Sequence, residues 1–150
     1  MSITEWMTSD GSERAKSLGV LVLRVLVGVS LFLNHGLEKL RYFSIMVNHF
    51  PDPFHITARA SLAYALLSDA ICSILVMIGL ATRLSSFVIL WNIAVAFVFV
   101  KYAALTSDVY AERNWQYICV YAALCMIGAG RFSVDAWLNR RAASKSLLAQ

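Results

Sequence analysis

Four apolar stretches separated by polar residues organise this chain, over 17–37, 61–81, 84–105 and 115–129. Crossing about 30 Å of hydrocarbon takes roughly 20 helical residues, with about 17 the lower limit. The first three stretches reach that length, and the fourth reaches it only by starting near Glu112 and running past Gly130. The pattern predicts an all-α fold, an integral membrane four-helix bundle. Thr82-Arg83 joins the second and third stretches, a link so short that they must be antiparallel neighbours. The longest connection, 38–60, carries Phe50-Pro51-Asp52-Pro53-Phe54, where two prolines interrupt helix and favour an extended turn. Residues 106–113 read as a polar loop.

The organisation is a polar N-terminal segment (1–16), a transmembrane domain (17–138) and a basic tail (139–150) expected to lie on the membrane surface. The first apolar stretch has no small-residue cleavage site after it, so it reads as a retained helix rather than a signal peptide.

Composition supports the membrane reading. Hydrophobic residues make up 59% of the 150 and charged residues 15%, and mean hydropathy is +0.66. A soluble domain of this size has too little interior to hide that surplus. The pI of about 9.2 raises nucleic-acid binding, but the basic residues sit at the ends of apolar stretches and form no stripe, which argues against it. Arg14, Lys16, Arg83, Arg131, Arg140, Arg141 and Lys145 fall on one side, against Lys39, Arg41, Arg59, Lys101 and Arg113 on the other. The positive-inside tendency then places both termini in the cytoplasm and the proline loop outside, periplasmic in a bacterium. Cys72, Cys119 and Cys125 are odd in number and form no C-x-x-C pair, and they read as small buried hydrophobes.

Polar side chains within apolar helices are costly and mark candidate sites. On the first helix Arg24, Gly28, Leu31, His35, Glu38 and Lys39 share one face of a 3.6-residue period. Asp69 is the buried charge of the second helix, and depth counting suggests an Arg24–Asp69 pair. His35 is placed to handle protons, while Lys39 either snorkels to the interface or attracts an anion. Asn92, Gln116 and Tyr121 complete a polar seam, with Tyr121 near the depth of Asp69. Tyr102, Tyr110, Trp115 and Tyr117 read as an outer aromatic belt. The histidines lack metal-ligand spacing, so no metal is expected. Such a seam suits a quinone headgroup or a small anion.

The order Leu23-Arg24-x3-Gly28, His35-Gly36-x2-Lys39, Phe50-Pro51-Asp52-Pro53, Asp69, Gly79-Leu80-x-Thr82-Arg83 and Gly128-x-Gly130-Arg131-x-Ser133-x-Asp135 resembles the DoxX family of small membrane proteins, over about 20–138. The sequence departs from the family in having Asp69 where Glu is common and Val100-Lys101 where His is frequent. Gln116 stands near a frequent Glu, and Ala129 where Pro is usual. The resemblance implies a subunit in the cell membrane of a bacterium or archaeon (the inner membrane), linked to thiosulfate or thiol oxidation with quinone as electron acceptor. His35 and Asp69 would be catalytic, and Arg24, Lys39, Asn92, Gln116 and Tyr121 would bind quinone or substrate. A non-enzymatic membrane anchor or assembly factor for a redox partner is the alternative. Membrane lipids are expected partners, and Gly28 and the small residues of the third helix leave room for a homo-oligomer.

Overall fold

A computed structural model of the chain describes residues 13–100 and 109–148, and all regular structure among them is helical. Helix α1 runs Glu13–Arg41, and a short α2 spans Phe43–Met46. Helix α3 runs Ala58–Ile78, and α4 runs Thr82–Val95 and continues into a π-helical segment, Ala96–Val100. Helices α5, Val109–Ile127, and α6, Val134–Leu148, complete the described chain. Glu13–Arg41, Ala58–Ile78 and Thr82–Phe99 are each long and apolar enough to cross a membrane. Their outer surfaces carry Leu26, Ile71, Leu84 and Phe87, all exposed, a continuous apolar coat that water would not tolerate.

Helix α1 packs along α3, and α4 packs against both α3 and α5. The α3–α4 link is Gly79-Leu80-Ala81, beginning three residues before the expected Thr82-Arg83, because Gly79 adopts φ +76° and ends α3. The amides of Gly79 and Leu80 close back onto the Leu75 carbonyl, each at 2.9 Å, satisfying the helix end. Helix α5 begins at Val109, so 109–113 of the expected polar loop is helix. Lys101, Tyr102 and the rest of that loop, 106–108, lie outside the described residues, as do 1–12 of the N-terminal segment. The basic tail is part of a helix that starts at Val134.

Glycines fix how α1 sits on α3. A Cβ on Gly36 would come within 2.7 Å of the Asp69 carbonyl oxygen and 3.1 Å of the Ala70 Cα. A Cβ on Gly28 would run into Met77 Cγ and lie 3.0 Å from the Ser73 carbonyl oxygen. At the far end, Gly79 leaves the space taken by the Arg24 guanidinium. The register is antiparallel, with residue 36 level with 69, 28 between 73 and 77, and 24 beside 79.

Both helices widen where they meet: Phe32–Gly36 and Leu67–Cys72 are π-helical and pack together. The buried positions of α1 are Ser17, Arg24, Gly28, Leu31, Gly36 and Lys39. The five-residue step from Leu31 to Gly36 is the π turn, which shifts the inward face by one residue. A uniform helix would turn Glu38 inward, but Glu38 is exposed and His35 half-buried, while Gly36 and Lys39 are buried.

The core is a cluster of Leu31, Val76, Ile89, Ile93, Tyr121 and Leu124 among others. The end of the bundle at Gly79 is tied by hydrogen bonds. The Asp135 carboxylate accepts from the Ala81 amide at 2.8 Å and the Thr82 amide at 3.1 Å, capping α4, and its own amide donates to the Gly79 carbonyl at 3.0 Å. Arg24, wholly buried, donates through Nη2 to the Phe132 carbonyl at 2.6 Å.

Gly36→Ala is expected to force α1 off α3, because the new methyl meets backbone that cannot turn aside. Overpacking of this kind costs about 1–3 kcal/mol. Thermal unfolding in detergent should show the loss, whereas Gly19→Ala, with nothing within 4 Å of its Cβ, should not.

Candidate functional site

At the end of the bundle opposite Gly79, Lys39 and Asp69 form an ion pair, Nζ to Oδ2 at 2.7 Å, with side chains only 10% and 5% exposed. Helix α1 delivers the lysine through the π turn, and the π turn of α3 delivers the carboxylate. The other carboxylate oxygen, Oδ1, accepts from Asn92 Nδ2 of α4 at 3.1 Å and from the Ser68 hydroxyl at 3.2 Å. A carboxylate held by one ammonium and two neutral donors is well compensated for its burial.

The pair borders a partly enclosed cavity of about 480 Å³. Leu31 and Ile93 form its inner end, and Tyr64, Trp91 and Tyr117 line its sides. Phe50, Pro51, Pro53 and Phe54 of the long loop cover it. Asp52 holds that loop in shape, its Oδ1 accepting from the Ile56 amide at 3.2 Å and the Ser61 hydroxyl at 2.9 Å, and Phe54 packs on Phe99 with ring centroids 5.9 Å apart. Tyr64 of α3 and Trp91 of α4 line the cavity and are 39% and 52% exposed, so this wall also forms part of the outer surface of the bundle, where the Tyr64 hydroxyl donates to the Val88 carbonyl at 3.5 Å. His35 completes the polar wall, its ring meeting that of Tyr117 edge-on at 6.0 Å. The Tyr117 hydroxyl shares a 2.8 Å hydrogen bond with Ser30 Oγ.

The structure brings together His35, Lys39, Asp69 and Asn92 of the expected site, and it separates Arg24, Gln116 and Tyr121 from them. The expected Arg24–Asp69 pair does not form. Asp69 is level with Gly36, twelve residues beyond Arg24, a displacement of about 18 Å along α1. Lys39 neither snorkels nor stands free for an anion, because its charge is spent on Asp69. Gln116 points outward and is exposed. Tyr121 lies deeper than expected, with its hydroxyl 3.5 Å from the Val27 carbonyl. Tyr117 is 7% exposed and lines the cavity rather than an outer belt, where Trp115 does lie exposed. Of the cysteines only Cys72 is buried; Cys119 is exposed and Cys125 intermediate.

Sequence reasoning missed Asn114, Tyr64 and the loop phenylalanines as lining residues. Asn114 was legible in principle, since it precedes Tyr117 by one turn on the same face. Among the described residues no three His, Cys, Asp or Glu side chains converge as a metal site would require.

The buried lysine, the glycine before it and the acidic residue facing them all fall within 19–102, the segment matched by the sequence pattern of the DoxX family. The chain belongs to the DoxX family. Among curated proteins and solved structures nothing matches it. With three helices able to cross a bilayer, this DoxX protein is a multi-pass membrane protein.

Removing one partner of the buried pair strands the other. Lys39→Met or Asp69→Leu alone is expected to destabilise this DoxX protein by about 3–5 kcal/mol, and the double variant to recover most of that loss. Unfolding midpoints of the three variants in one detergent give the coupling directly. Additive losses would show that the two charges act independently.

Proposed function

We propose that this protein is a redox subunit of a bacterial or archaeal inner membrane that binds the neutral ring headgroup of a membrane quinone in the cavity beside Lys39 and Asp69. The observation that carries the reading is the closed ion pair. A cavity whose buried cation is already neutralised has no net charge to hold thiosulfate or another anion, while its aromatic sides and few polar groups suit a flat, uncharged ring. The wall at Tyr64 and Trp91, which reaches the outer surface of the bundle, suits a ligand that arrives from lipid.

On this reading Asn92 and His35 orient the ring carbonyls. Reduction of a quinone to a quinol takes two electrons and two protons. His35 hands protons between the loop side and the cavity. Asp69 can take one, which frees the Lys39 ammonium to face negative charge developing on a carbonyl oxygen. The electrons come from oxidation of a small reduced sulfur compound or of two thiols of a partner protein to a disulfide, which releases two electrons and two protons. None of the three cysteines lines the cavity, so the donor belongs to the partner. The same fact favours the second reading, a membrane anchor or assembly factor with no turnover of its own.

Both termini face the cytoplasm in this proposal. Because Lys39 is buried in a pair, it drops out of the outer count of basic residues, leaving Arg41, Arg59, Lys101 and Arg113 against seven.

Short-chain ubiquinone and menaquinone analogues are expected to quench Trp91 fluorescence in the purified protein, with the signal lost in Trp91→Phe. Asn92→Leu should weaken binding by about tenfold, the cost of one lost hydrogen bond in a buried site. Gln116→Ala should leave binding unchanged. Absence of saturable quenching by either analogue would overturn the quinone reading. A stoichiometric redox partner recovered by affinity purification would then leave the anchor reading standing.

A further inference from the structure

A second cleft, of about 570 Å³, lies at the Gly79 end of the bundle, remote from the Lys39–Asp69 cavity. The start of α4, the turn after α5 and the start of α6 form its walls. Two left-handed glycines shape that turn, Gly128 at φ +84° and Gly130 at φ +71°. Arg83 lies across Gly128, where a Cβ would come within 3.1 Å of its Nε, and its Nη2 donates to the Met126 carbonyl at 3.2 Å. The guanidinium is thus anchored at one corner, and no carboxylate pairs with it among the described residues.

The acidic residue of the lining, Asp135, is engaged elsewhere. Its carboxylate accepts from the Ala81 and Thr82 amides, and the Arg24 guanidinium stands beside the same link, against Gly79. Two cations to one carboxylate leave this end of the bundle a surplus of positive charge. Helices α4 and α6 both begin at the cleft, and their N-termini add partial positive charge. Thr82, wholly buried, also lines it, and its hydroxyl has no hydrogen-bond partner among the described residues.

The cleft stands where the chain leaves the bilayer. Thr82–Phe99 has 18 residues, about 27 Å at the helical rise, so its whole length is needed to cross roughly 30 Å of hydrocarbon. Thr82 and Arg83 are its first residues and therefore mark the boundary. Exposed apolar side chains flank the cationic floor from three helices, Leu84 of α4, Ile127 of α5 and Leu138 of α6.

We propose that this cleft binds one anionic phospholipid of the surrounding bilayer, its phosphodiester on Arg83 and its acyl chains along Leu84 and Ile127. A phosphodiester carries one negative charge, which meets the unmatched cation, and its oxygens accept from the guanidinium donors that Met126 leaves free. A soluble phosphate ester would meet the same cation but leave the apolar flanks bare. A zwitterionic lipid would bring an ammonium to a cleft that already holds more cation than anion, so the site selects headgroups by charge. The bound lipid joins α4, α5 and α6 at the end where Asp135 already ties α6 to α4.

Native mass spectrometry of the full chain in a neutral detergent tests the assignment. Dioleoyl phosphatidylglycerol is expected to bind as one lipid per chain, about tenfold more tightly than dioleoyl phosphatidylcholine, and Arg83→Gln should remove that preference, as loss of a charge-assisted hydrogen bond would. Arg83 also holds the Met126 carbonyl, so Asn139→Glu supplies an independent change. Asn139 is exposed and lines the cleft, and a carboxylate there leaves the Arg83 bond in place. It should weaken retention of phosphatidylglycerol but not of phosphatidylcholine, with the unfolding midpoint in lipid-free detergent retained. Arg59→Gln, exposed at the other end of the bundle, should change neither. Equal retention of the two lipids, a preference that survives both Arg83→Gln and Asn139→Glu, or displacement of phosphatidylglycerol by an equal concentration of glycerol phosphate would overturn the proposal. Quinone binding is read separately at Trp91, so either result leaves that question untouched.

Discussion

The Lys39–Asp69 pair is the constraint around which the upper half of the bundle is arranged. Either charge alone at that depth would carry a solvation penalty of several kcal/mol, so each helix has to present its charge to the other. Meeting the demand requires close backbone approach, which Gly36 permits against the Asp69 carbonyl, and a local change of helical phase, which the two facing π turns supply. The same turns leave the cavity open beside the pair. Asn92, carried in by the tight α3–α4 hairpin, then occupies the carboxylate oxygen that the lysine leaves free.

Much of this was legible in the sequence. The apolar periodicity gave helices of nearly the right extent, and the short link after residue 78 dictated that Asp69 and Asn92 share a level. Burial of Asp69 followed from its apolar surroundings. Its partner does not follow, because the edges of the apolar stretches are a poor gauge of depth here: α1 extends past them at both ends, from Glu13 to Arg41. A few residues of error at each edge, at about 1.5 Å per residue, were enough to match Asp69 with the wrong cation. The inward position of Lys39 was obscured for a second reason. A lysine near the end of an apolar helix ordinarily reaches for water, and only the π turn, which has no sequence signature of its own, directs this one into the bundle. The same rotation misplaced Glu38.

Arg24 performs a different task from the one its burial suggested. It lies against Gly79 and holds the Phe132 carbonyl, while Asp135 caps α4 two residues beyond that glycine. Together they clamp the segment after α5 onto the α3–α4 link, so the end remote from the cavity is fixed by backbone hydrogen bonds to charged side chains. Two of the Arg24 nitrogens, Nε and Nη1, have no hydrogen-bond partner among the described residues. The two buried cations of α1 thus serve opposite ends of the bundle, Arg24 the clamp at Gly79 and Lys39 the cavity beside Asp69.

That division bears on what the cavity can do. A site with an unpaired buried lysine would select anions and hold them tightly. A site whose lysine is already matched selects for shape and neutrality, and it responds to charge only when a proton moves. In the proposed reaction, a proton taken by Asp69 releases Lys39, so the pair is closed in the resting protein and opens as negative charge develops nearby. Asn92 and Ser68 both hold Oδ1, so the carboxylate keeps its place on α3. A DoxX protein with glutamate at this place would have one more methylene of reach. Aspartate here keeps the carboxylate close to α3, and the close approach at Gly36 brings α1 to meet it.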